Sequence, residues 1–165
     1  MFAELDYIFS LNVIIAILML LMLIEYLVVL IIQGGKSLKG GTKPKEDQIP
    51  GGSSPNPTEN DKEADERWRR IVSNHLETIP FVFLLFLLSV FVCYSSGNGA
   101  ERLALLILII LYVFFRYLYT ICYAFAIQPF RSMFWFCSIL CGLGGGLVGV
   151  VSAFIVLQDS NFVID

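Results

Sequence analysis

In the stretch ERWRRIVSNHLETIPF, Arg67, Arg70, Asn74 and Glu77 recur at spacings of three and four. At about 100° per helical residue, the four occupy one arc about 80° wide. Tyr112, Arg116, Tyr119, Thr120 and Tyr123 project in the same way from one side of a later segment, and Arg131 and Ser132 stand together further on. The residue types suggest what such a surface would hold. Guanidinium forks pair with carboxylates in bidentate geometry. Glu77 suits an ammonium, and the amide and phenols add neutral hydrogen bonds. A small peptide-like zwitterion with carboxylates at its ends fits that inventory.

These residues must be positioned by unusual elements. Hydrophobic residues make up 57% of the 165-residue chain, against about 45–50% in soluble domains. The apolar residues fall in long unbroken runs, which predict helices over 7–33, 64–94, 101–127 and 130–157. A spanning helix needs about 20 mostly apolar residues to cross about 30 Å of hydrocarbon. Runs one, three and four meet that alone, and the second does so once its polar first turns are placed at the membrane face. Barrel strands are excluded, because they alternate polar and apolar residues. The first run is too long for a signal-peptide core and is led by Glu4 and Asp6 rather than by a basic region, so it is expected to be retained. The fold expected is an all-α integral membrane protein, a single domain over 1–165 built as an antiparallel bundle of four transmembrane helices.

The connections set its orientation. Loop 34–63 is rich in Gly, Pro, Ser, Lys and acids and reads as a solvated segment, whereas SSGNGAE and Gln128-Pro129 are short links that make neighbouring helices antiparallel. Eight of the eleven Lys and Arg lie between Lys36 and Arg70. The positive-inside rule therefore places loop 34–63 in the cytosol and both termini on the opposite side. The arginines then sit at or inside a bilayer face, where insertion costs about a few kcal/mol and such groups usually face the bundle interior. Each alone could also serve as a headgroup anchor. Three helices presenting polar groups at one cytoplasmic level argue for a pocket, with an apolar co-substrate arriving sideways from the lipid.

Other classes find less support. The net charge of −3 is a poor guide to partners, because most of the charged residues lie in the one stretch 36–70, and no basic stripe or motif points to nucleic acid. Cys93, Cys122, Cys137 and Cys141 lie in helical runs without metal-site spacing and read as small buried side chains. Gly142, Gly144, Gly145, Gly146 and Gly149 give two Gly-x-x-x-Gly pairs suited to close packing within the bundle or a trimer, the bundle being favoured. His75, the only histidine, lies 100° from Asn74, and a solvated or interfacial place is expected for it. A four-helix transporter subunit remains a rival, with Glu25 its lone candidate midplane charge.

The same residues resemble a known family. ERWRRIVSNHLETIPF, then RYLYTICY, then PFRS, are similar to the membrane-associated proteins in eicosanoid and glutathione metabolism, which include microsomal glutathione transferases, prostaglandin E synthase and leukotriene C4 synthase. Arg70, Asn74 and Glu77 meet the family's Arg-x-x-x-Asn-x-x-Glu pattern. Arg116, Tyr119 and Tyr123 resemble the leukotriene-synthase branch, and Arg131-Ser132 resembles the catalytic Arg-Ser pair of the prostaglandin synthase. Val72 and Ser73 stand where the prostaglandin branch has His-Arg, His75 replaces a usual Asp, Pro80 comes one residue early, and Glu25 sits where relatives often have Lys.

The resemblance implies a homotrimer in the endoplasmic reticulum membrane, with lumenal termini and glutathione held between subunits near the cytoplasmic face. Arg67, Arg70, Asn74, Glu77, Arg116, Tyr119 and Tyr123 would bind glutathione. Arg131 and Ser132 would stabilise its thiolate, which attacks a lipophilic electrophile, hydroperoxide or endoperoxide as a transferase, peroxidase or isomerase. No metal is implied. Glu25 is expected to be buried in the trimer and paired with Arg67 or Arg116, or else protonated. The same family contains a non-catalytic lipid-binding scaffold, which lacks the arginine that Arg131 supplies here.

Overall fold

The computed structural model describes residues 2–43, 46, 56–97 and 99–162, with side-chain detail between 12 and 158. Four helices account for nearly all of it: α1 (Phe2–Lys39), α2 (Glu59–Ser96), α3 (Gly99–Ala124) and α4 (Phe130–Phe162). Each is long and apolar enough to cross a membrane. Even α3, with 26 residues, spans about 39 Å at 1.5 Å per residue. Outward-facing leucines and phenylalanines such as Leu20, Phe81, Phe91 and Leu147 cover the sides.

Contacts between helices give the topology. Ser37 meets Asp65, and Met22 shares a core with Phe86, so α1 and α2 run antiparallel. Asn74 faces Arg116 and Phe86 faces Tyr112, which makes α3 antiparallel to α2. Gly142 packs on Val82 and Gly149 on Ser89, so α4 runs parallel to α2. Among the described residues α1 and α4 do not pack together; α2 and α3 lie between them. The glycines serve this bundle. A Cβ on Gly146 would stand 2.8 Å from Leu85, and one on Gly149 would meet Ser89, its Cα at 3.0 Å.

The helix ends differ from the expected 7–33, 64–94, 101–127 and 130–157, and three of the differences have a local cause. Helix α1 continues through Gly34 and Gly35 to Lys39, held by Gln33 donating to Ser37 at 2.7 Å. Lys36 and Lys39 stand in its last turn, where cations suit the carbonyl end. Helix α2 begins at Glu59 rather than 64 because Thr58 and Asp61 form a reciprocal capping box. The expected loop 34–63 is thus shortened at both ends, and its middle (44–45 and 47–55) lies outside the described residues, as do the side chains of Glu4 and Asp6 and the two chain ends.

Helix α3 stops at Ala124 rather than 127. Ile127 N–H donates to Cys122 O at 2.8 Å and Ala126 N–H to Tyr123 O at 3.1 Å. This is the Schellman pattern, with Ala126 at φ +57° where glycine is usual. Helix α4 runs five residues past 157, to Phe162.

At the other end of α1, Asp65 is almost fully buried and accepts from Ser37 (2.5 Å) and Thr42 (2.6 Å), with Arg69 at 3.3 Å. That knot ties the start of α2 to the end of α1.

Candidate functional site

Where α2, α3 and α4 meet near the knotted end, the polar residues gather. Asn74 from α2, Tyr119 and Tyr123 from α3, and Arg131, Ser132 and Trp135 from α4 line an open groove of about 340 Å³. That falls within the roughly 300–1,000 Å³ of small-molecule sites. A second groove, lined by Glu63, Glu66, Arg67, Arg70, Tyr123 and Arg131, adjoins it. Tyr123 and Arg131 belong to both. The guanidinium of Arg131 lies over the Tyr123 ring at 4.7 Å, which fixes a cation at the junction.

Arg131 sits in the first turn of α4. Its N–H donates to Ile127 O (3.4 Å), and the N–H groups of Ser132 and Met133 donate to Pro129 O (3.0 and 3.3 Å). The first-turn amides are therefore engaged, and a ligand anion here is met by the Arg131 side chain and the exposed Ser132 hydroxyl. Trp135, one turn along, was not singled out from sequence, although its i+4 spacing from Arg131 places it on the same face. Its indole N–H is buried with no partner among the described residues.

The other expected residues divide. Arg67 reaches the second groove, and its Nη1 also donates to Ala124 O at 3.4 Å, capping the carbonyl end of α3. Arg70 is exposed and pairs with Glu66 at 3.4 Å. Glu77 is exposed, accepts from Ser73 at 2.8 Å, and lines neither groove. It looks away from the bundle. Arg116 also lines neither groove: it is 0% exposed and lies behind the groove wall, donating from Nη1 to Asn74 Oδ1 at 3.0 Å, with its guanidinium 5.2 Å from the Tyr119 ring. Arg116 has only donors, so Asn74 must turn its oxygen inward, which leaves its amide N–H groups for the groove.

Two expectations are corrected. His75 is not solvated or interfacial; it is 0% exposed, because its side of α2 is the one covered by α1 and α3. Its Nδ1 lies 2.9 Å from Ile71 O and its Nε2 lies 3.2 Å from Glu25 Oε1. Glu25 is buried within a single chain, and its partners are His75 and Thr120, the latter at 2.5 Å, rather than Arg67 or Arg116. The sequence carried only a weak sign of this cluster, since α1 shows no polar stripe around Glu25.

Away from these groups, a cleft of about 850 Å³ between α1 and α2 is lined almost wholly by apolar residues, among them Leu23, Pro80, Phe83 and Leu87. Among the described residues no group of His, Cys, Asp or Glu is disposed to hold a metal.

No curated protein and no solved structure matches this sequence. A family match does extend over residues 11–151, from within α1 to well inside α4. A membrane-spanning bundle of four helices, with arginine, asparagine and tyrosine drawn together near one end, therefore belongs to the MAPEG family, the membrane-associated proteins of eicosanoid and glutathione metabolism.

Proposed function

We propose that this protein is a glutathione-dependent membrane enzyme that uses a glutathione thiolate, stabilised by Arg131, against a lipophilic electrophile, hydroperoxide or endoperoxide. The observation that carries the reading is the position of Arg131, held on the Tyr123 ring where two polar grooves join. Glutathione has two carboxylates and one ammonium. The grooves offer three guanidiniums (Arg67, Arg70, Arg131) and two carboxylates (Glu63, Glu66), with amide and phenol donors beside them.

The chemistry follows from charge. A thiol of pKa about 8.5 is mostly protonated at neutral pH, and a fixed cation favours the thiolate. Ser132 donates a hydrogen bond to the same sulfur. The sulfur lone pair then forms the new bond to the acceptor, and the electrons of the bond that breaks leave with the departing atom. The apolar cleft between α1 and α2 suits a lipid-soluble acceptor reaching the site from the bilayer.

Glu77 is exposed and lines neither groove, so a site that uses it is completed by a second copy against α2. This supports the homotrimer, with glutathione between subunits. By the distribution of Lys and Arg, the end carrying the grooves faces the cytosol and the termini face the lumen of the endoplasmic reticulum.

The non-catalytic scaffold is the second reading, and Arg131 separates the two. The test is the purified trimer assayed with glutathione against a panel of electrophiles, hydroperoxides and prostaglandin endoperoxide. Arg131→Leu should bind glutathione nearly as well yet lose about 10²–10³ in turnover, together with the ultraviolet absorbance of the bound thiolate. Full turnover in a correctly assembled Arg131→Leu trimer would take Arg131 out of the mechanism and favour the scaffold.

A further inference from the structure

A buried cluster joins α1, α2 and α3 just behind the groove. Glu25 is 5% exposed and His75 0%. Tyr26 stacks on the imidazole at 6.5 Å, and Tyr119 lies on its other flank at 6.2 Å. The hydrogens in this cluster can be counted. Ile71 O only accepts, so its 2.9 Å contact requires a hydrogen on His75 Nδ1. Thr120 has one hydroxyl hydrogen and three groups in reach, Glu25 Oε1 at 2.5 Å, Arg116 O at 3.1 Å and His75 Nε2 at 3.3 Å. A hydrogen shared between His75 Nε2 and Glu25 Oε1, which lie 3.2 Å apart, would give that contact its own donor. With that hydrogen in place the pair is neutral, as imidazolium with carboxylate or as imidazole with carboxylic acid.

One helical turn from Thr120 stands Arg116. It carries a full charge, is 0% exposed, and has Nε and Nη2 without partners among the described residues. Glu25 Oε2 is likewise unpartnered. A buried carboxylate and a buried guanidinium that both border Thr120, each with free capacity, would gain by joining, because burial makes an unpaired charge costly. They are kept apart: Glu25 is spent on His75 and Thr120, and Arg116 is left on Asn74.

We infer that His75 is a positioning residue for the groove: by neutralising Glu25 through a shared proton, it keeps Arg116 on Asn74 and uncompensated. Arg116 then fixes Asn74 with its amide donors toward the groove and adds positive potential behind it, and both select an anionic ligand. The inference rests on the reading of that groove as a glutathione site.

The test uses the full chain in lipid nanodiscs, with glutathione binding read by calorimetry. In His75→Leu, Glu25 is released to Arg116, and affinity should fall roughly tenfold or more, the scale of a unit charge added at short range in a partly buried setting. Glu25→Gln should bind as the wild type does. The double variant His75→Leu/Glu25→Gln should recover wild-type affinity, since it contains no carboxylate to capture Arg116.

A His75→Leu that binds normally, or a double variant no better than the single, overturns the inference and leaves the cluster a structural clasp. The shared proton is read separately. The chain has one histidine, so isotopic labelling gives one imidazole signal. Either that ring is doubly protonated, or infrared spectra show a protonated carboxyl that disappears in Glu25→Gln. A neutral imidazole with no protonated carboxyl overturns the inference even if glutathione binds. A wild type that binds no glutathione overturns the functional reading instead, while the imidazole and carboxyl signals still decide the pair.

Discussion

Arg70 and Glu77 lie on the same arc of α2 as Asn74, yet only Asn74 and Arg70 reach a groove of their own chain. The difference is one of direction: Asn74 is drawn in by Arg116, whereas Glu77 is engaged only by Ser73 on its own helix. Arg70→Ala should weaken glutathione binding by about 1–3 kcal/mol, the scale of a charge-assisted hydrogen bond. Glu77→Gln should cause a loss of similar size only where the trimer is intact, which calorimetry on trimeric and dissociated samples can separate. If neither variant changes affinity, both side chains are headgroup anchors. The spacing of charged and amide residues made this arc legible in the sequence. Helical periodicity states which residues share a face, but not what covers that face. His75 was misplaced for this reason: its side of α2 is claimed by α1, and the pairing with Glu25 spans 50 residues of sequence.

The helices themselves were readable because an apolar run of sufficient length has few alternatives in a bilayer. Their ends were less so, since they depend on caps that override composition. Thr58 and Asp61 draw polar residues into α2, and Gly34 and Gly35 continue α1 despite their cost in a helix. Ala126 is the clearest instance. It holds a left-handed backbone at the end of α3, where an L side chain costs roughly 1–2 kcal/mol. Ala126→Gly should raise the stability of the folded protein by about 1 kcal/mol, seen as a higher midpoint in thermal unfolding in detergent. The glycine face of α4 predicts the reverse. A Cβ at Gly149 meets Ser89, including its backbone, so Gly149→Ala should destabilise by about 1–3 kcal/mol as an overpacking change.

At the scale of the whole molecule, α2 is longer than a membrane is thick: 38 residues make about 57 Å, against about 30 Å of hydrocarbon. Its first half carries the charges and therefore extends beyond the bilayer with the grooves beside it. On the orientation proposed from the flanking lysines, protease added to sealed microsomes should cut between 44 and 55. Full protection would reverse the orientation and move the grooves to the lumen.

The Asp65 knot also has a practical meaning. Ser37 and Thr42 on one side and Asp65 on the other hold the two strands of chain together, and Gly41 lies close against Pro57. The polypeptide thus departs and returns at a single point, at one end of the seam between α1 and α2. Expressed as two polypeptides, α1 on one and α2 to α4 on the other, the protein should still assemble in the bilayer, read by co-purification of the halves, with the knot and the Glu25–His75–Thr120 cluster supplying the fit.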